Sequence, residues 1–126
     1  MGVLGIGGVF FRAKDPDALN AWYRDRLHVG AGCNADASGP VDEWSWTTMG
    51  GPTVFAPFRA DTDYFPADKQ FMLNLRVEGI DGLLASLQEA GIEVITKSEW
   101  NDPTIGKFAR IHDPEGNPVE LWEPPA

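Results

Sequence analysis

The chain has 126 residues, 43% hydrophobic and 23% charged, which suits one globular domain with a genuine core. Against 10 Lys and Arg stand 19 Asp and Glu, and the net charge of −9 argues against nucleic acid and anionic membrane surfaces as partners. The single cysteine, Cys33, has no internal partner and fits a reducing cytoplasm, and no apolar run approaches a membrane span.

In chain order, residues 3–13 are apolar and aromatic and read as a strand, with Val9, Phe11 and Ala13 on one side and Gly8, Phe10 and Arg12 on the other. Asp15-Pro16 then opens a helix, Asp15 as N-cap and Pro16 in the first turn. Leu19, Trp22, Tyr23 and Leu27 form its apolar stripe, and Gly30 is a stop signal. Residues 31–40 are small and polar. Glu43 to Thr48 alternates, with Trp44 and Trp46 on one side. Met49-Gly50-Gly51-Pro52 reads as a turn, Thr53 to Phe58 as a strand, and residues 59–68 as a polar linker.

The second half follows the same plan. Gln70 to Val77 reads as a strand. Asp81 is the expected cap of a helix with stripe Ile80, Leu83, Leu84 and Leu87, ending at Gly91. Ile92 to Lys97 is a strand, residues 98–105 a loop, and Gly106 to Ile111 a strand. Asp113-Pro114-Glu115-Gly116-Asn117 is a tight turn. The strand after it puts Val119 and Leu121 on one face, Glu120 and Trp122 on the other.

Sliding the chain on itself supports an internal repeat: Arg12 falls on Arg76, Asp17 on Asp81, Leu19 on Leu83 and Ala21 on Ala85, with strands on strands and helix on helix. The expected fold class is α+β: two βαβββ modules forming a curved mixed sheet around a cleft, helices outside. It makes a single domain over 1–126, with module one at 1–60, a linker at 61–68 and module two at 69–126.

By alternation the cleft is lined by Gly8, Phe10, Arg12, Trp44, Trp46, Val54, Ala56 and Phe58 from the first half. The second half adds Met72, Asn74, Arg76, Phe108, Arg110, Glu120 and Trp122. Broad aromatic walls with a few convergent polar groups are the usual form of a small-molecule site. A carboxylate on such a face needs a metal, an Arg or water, because bare burial is costly. Glu120 is therefore either a base or ligand, or the ion-pair partner of Arg12, Arg76 or Arg110. The tryptophans equally suit a hydrophobic core or a subunit contact.

The stretches GKFARIHDPEGNPVELWEP and VFFRAKDPDALNAWYRDRL, with the repeat, resemble the vicinal oxygen chelate superfamily. That group includes glyoxalase I, extradiol dioxygenases, fosfomycin resistance enzymes and bleomycin-binding resistance proteins. The resemblance implies paired βαβββ modules, assembly as a homodimer and, in the enzymes, a divalent metal held by His and Glu from both modules. Residue by residue, the ligand positions it implies fall on Gly8, near Ala56, on Met72 and on Glu120. Gly and Ala offer no ligand atom and a Met thioether is soft, whereas a catalytic metal normally takes about three protein ligands. His28 and His112 are not spaced with Glu120 as a metal pair would be.

No tightly bound metal and no cofactor is therefore expected. The leading expectation is a metal-free binding protein that holds an aromatic or anionic small molecule. One alternative is a glyoxalase-like lyase or dioxygenase using Glu120 as general base or metal ligand. The other is a dimeric interaction module without a small ligand.

Overall fold

In the computed structural model, residues 1–30 and 45–126 are described. The stretch 31–40 and Trp44 lie outside the described residues. Helix α1 spans Pro16–Leu27, strand β1 Leu73–Arg76 and helix α2 Ile80–Glu89; a 3-10 turn at Ser98–Trp100 leads into β2 (Asn101–Asp102), β3 (Gly106–His112) and β4 (Pro118–Glu123). The sheet order is β1-β4-β3-β2. β1 runs parallel to β4, and β3 is antiparallel to both β4 and β2. The strand expected over Ile92 to Lys97 shrinks to one bridge, Ile95 with Arg110, on the same edge of β3 as β2.

The helix signals act through identifiable atoms. Asp15 caps α1 by accepting the Ala18 amide at 3.1 Å, with Pro16 next in line. The helix ends two residues earlier than Gly30 suggests, because His28 itself takes the left-handed conformation (φ 56°). Asp81 is not the cap of α2. Gly79, with φ 62°, holds that place without a side-chain bond, and the orphan Ile80 amide is met by the Glu123 carboxylate of β4 at 3.2 Å. Asp81 instead pairs with Lys107 at 3.3 Å on the exposed surface.

One face of the sheet is core. Ala109, Ile111, Val119 and Leu121 are fully buried, together with Leu75 and with Ile80 and Leu87 of α2 and Leu19 and Tyr23 of α1. Burying each of the larger aliphatic side chains stabilises the fold by about 1.5–3 kcal/mol. Gly106 is needed where β3 starts. Its φ is 121°, and a Cβ there would stand 2.2 Å from the Glu123 carbonyl oxygen.

The strands expected over residues 3–13 and Thr53 to Phe58 are not formed, and residues 45–48 carry no strand either. Alternation marks a face only where backbone groups find a ladder partner, and no described segment pairs with these stretches. Their apolar side chains stand in solvent, including Val3, Leu4, Phe10, Val54 and Phe55. Among the described residues, no helix is long and apolar enough to cross a membrane.

Candidate functional site

The face of the sheet opposite the core carries two rows of side chains. Register sets them: Asn74 lies beside Glu120 and Glu120 beside Arg110, while Arg76 lies beside Trp122 and Trp122 beside Phe108. Period-2 alternation predicts this set, and the parallel and antiparallel ladders bring it together. The Phe108 and Trp122 rings stack at 6.0 Å with only 6° between their planes. The Trp122 indole N–H donates to the Ile105 carbonyl at 2.9 Å.

Residues 49–67 supply groups that close onto this face. The Arg76 guanidinium donates to the Met49 carbonyl at 2.8 Å and the Pro52 carbonyl at 2.6 Å. Tyr64, from the linker, donates its hydroxyl to Glu120 Oε2 at 2.5 Å, and the Asn74 amide donates to Oε1 at 2.8 Å. Glu120, 7% exposed, thus has both oxygens engaged by neutral donors rather than by a guanidinium. Desolvation, then the hydrogen bond to the Glu120 carboxylate and its charge, push the Tyr64 phenol up from 10.0 to about 12; Arg110 pulls weakly the other way.

Arg110 is the unusual residue. It is 6% exposed, yet no carboxylate among the described residues reaches ion-pairing distance. One Nη donates to the Tyr64 carbonyl at 3.0 Å, and the guanidinium lies 4.9 Å from the Tyr64 ring and 5.8 Å from that of Trp100. Its Nε is buried with no hydrogen-bond partner among the described residues. A shallow cavity of about 480 Å³, wide open to solvent, lies beside it, lined by residues 62–67, Arg110 and His112.

The other sequence candidates are placed differently. Phe10 (96% exposed), Arg12 and Trp46 stand at solvent, for the ladder reason given above. Phe58 is half exposed and meets the Tyr64 ring at 5.5 Å, so it joins the site from the linker side. Met72 is partly buried just before β1. Sequence reasoning missed Tyr64 and Trp100, and weighed His112 only as a metal ligand. Only His112 left a signal, since it shares parity with Phe108 and Arg110 along β3.

The ligand positions implied by the family resemblance do not fit a divalent cation. Gly8 and Ala56 are exposed positions without donor atoms, Met72 offers a thioether, and the oxygens of Glu120 are already bonded. Among the described residues, no three His, Cys, Asp or Glu cluster around a point where a metal would sit.

A glyoxalase-like domain profile matches residues 8–122. No curated protein matches the sequence. Among solved structures, the chain is similar to TnmS3, an antibiotic binding protein from Streptomyces sp. CB03234, with TM-score 0.58 and 24% identity over 98% of each chain. A glyoxalase/bleomycin resistance protein from the same strain aligns at TM-score 0.44 and 24% identity over 86% of this chain and 91% of its own. The profile spans most of the sequence and takes in α1 and all of the sheet but the last residue of β4. The chain therefore belongs to the glyoxalase-like domain family, within the vicinal oxygen chelate superfamily.

Proposed function

We propose that the chain is a small-molecule-binding protein that works without a bound metal and takes an aromatic or anionic ligand against the β1-β4-β3 face. The observation that carries this reading is Arg110: a buried guanidinium with no carboxylate partner among the described residues, set between aromatic rings and beside an open cavity. Leaving such a cation unpaired is costly, and an anionic group entering the cavity offsets that cost. The antibiotic-binding role of a protein with the same fold is in line with a sequestering function.

Titration with a panel of aromatic carboxylates, followed by tryptophan fluorescence, tests the reading. Trp100 and Trp122 lie at the site, so saturable quenching is expected, weakened at least tenfold by Arg110→Met. A flat response across the panel at millimolar concentration counts against it.

A second reading, a glyoxalase-like lyase or dioxygenase, is favoured by one observation: Tyr64 and Asn74 hold Glu120 in a fixed position suited to a general base. Turnover that survives Glu120→Gln excludes it.

The same proposal carries the two-module plan and a homodimer in the cytoplasm. The strand-helix-three-strand order of residues 73–123 supports the modules. The apolar side chains of residues 3–11 and 54–58, many of them exposed, support a second copy as their cover. Light scattering on the purified chain reads the mass directly, and a monomer at micromolar concentration excludes the dimer.

A further inference from the structure

The linker residue Tyr64 makes, on the sheet face, the set of contacts a bound ligand would make. Its ring lies over the Arg110 guanidinium and is flanked by Phe58 at 5.5 Å and Trp100 at 6.1 Å. Its hydroxyl donates to Glu120, and its carbonyl accepts from Arg110 at 3.0 Å. Glu120 in turn is fixed from its other side by Asn74. The face therefore recognises a ring, a hydroxyl donor and an acceptor oxygen at once.

Tyr64 fills this place imperfectly. Its carbonyl satisfies one Nη of Arg110 but leaves Nε buried and, among the described residues, without an acceptor. Tyr64 belongs to the linker segment that walls the cavity, and it carries no regular secondary structure. Such a segment leaves its place at lower cost than a strand held by a ladder.

We infer that Tyr64 is the protein's own occupant of a hydroxyaryl site, and that the natural ligand is a phenol-bearing aromatic which displaces it. The inference rests on the binding reading above and narrows it to a ligand class. Glu120 accepts the ligand hydroxyl, Arg110 faces its ring and an acceptor oxygen, and Phe58 and Trp100 enclose it.

The test uses the full chain, labelled with ¹⁵N, with p-cresol as the probe and toluene as the hydroxyl-free control. Tryptophan indole N–H signals report occupancy. Tyr64→Ala is expected to take up p-cresol at least tenfold more tightly than the wild-type chain and more tightly than it takes up toluene. Adding Glu120→Gln is expected to erase the preference for the hydroxyl. A folded Tyr64→Ala that binds p-cresol no better than wild type, or no better than toluene, overturns the inference.

If Tyr64→Ala fails to fold, Tyr64→Phe carries the test. Its ring has lost the bond to Glu120 and must yield to p-cresol at lower concentration than wild type; equal uptake overturns the inference. Quenching of wild type by aromatic carboxylates with no effect of either Tyr64 variant would sink the displacement idea alone. Absence of any aromatic uptake by wild type and variants would sink the binding reading with it.

Discussion

Tyr23 of the first helix donates its hydroxyl to Asp113 of the β3–β4 turn at 2.7 Å, a buried bond across 90 residues of sequence. Asp113 also accepts from the amides of Glu115 and Asn117 and from the Asn117 side chain. The turn is thus a lock for α1 as much as a chain reversal. Asp113→Ala leaves four donors without their acceptor and is expected to destabilise the fold by about 3 kcal/mol. Tyr23→Phe, which removes one bond, is expected to cost about 1–2 kcal/mol. Urea unfolding of the two variants measures both, and equal midpoints would contradict the network.

Glu115 extends the lock. Its carboxylate accepts the amides of Lys14 at 2.6 Å and Asp15 at 3.1 Å, just before α1 begins. The contact is exposed, so Glu115→Ala is expected to cost only about 0.5–1.5 kcal/mol. Hydrogen exchange should localise the loss, with faster exchange at the start of α1 and unchanged protection in β4.

Both tyrosines should resist ionisation. Burial raises Tyr23 beyond the ordinary range, helped by the hydrogen bond and charge of Asp113, and Tyr64 is pushed up to about 12. A raised value means that the fold favours the neutral phenol. That stabilisation is complete below the unfolded tyrosine value of 10.0 and is lost as pH climbs through the folded values. Tyrosinate absorbance should therefore stay low through pH 10 and rise only together with alkaline unfolding. Normal titration of one phenol near pH 10 would show that the Tyr64 contacts open in solution.

Gly106→Ala should be among the more damaging single changes. The added methyl group meets the Glu123 backbone carbonyl and demands a positive φ that alanine adopts poorly. A loss of about 2–4 kcal/mol is expected, read as a lowered thermal midpoint. A change within experimental error would mean that β3 and β4 separate at that end.

Chelators should leave the protein unaffected. With Glu120 the sole oxygen or nitrogen donor among the implied ligand positions, neither EDTA nor added zinc is expected to move the thermal midpoint. A metal bound only by the native state would raise it in proportion to concentration, and such a rise would refute the ligand count.

Much of the second half could be read from residue order. Val119 and Leu121 alternate with Glu120 and Trp122, and a turn signal precedes them, so the core and open faces of β4 followed directly. Asn74, Arg76, Phe108 and Arg110 then took their places because pairing partners lay alongside. Phe10 and Trp46 obey the same alternation but have no ladder in the described residues, so the pattern there did not become a face. Tyr64 was illegible for another reason. A linker has no periodicity, and a phenol reaches Glu120 only through tertiary folding. Gly79 as the cap of α2 was hidden similarly, since the Glu123 carboxylate that serves the helix comes from a distant strand.

The strand order places β4, the last of the described strands in chain order, between β1 and β3. Among the described residues, β1 has no ladder partner until residues 118–123 have left the ribosome, and Glu120 meets Asn74 only then. A nascent chain stalled before Pro118 carries every side chain of the site except Glu120 and Trp122 and cannot assemble it. Acquisition of ligand-binding capacity should coincide with the end of translation of this domain rather than accumulate along it.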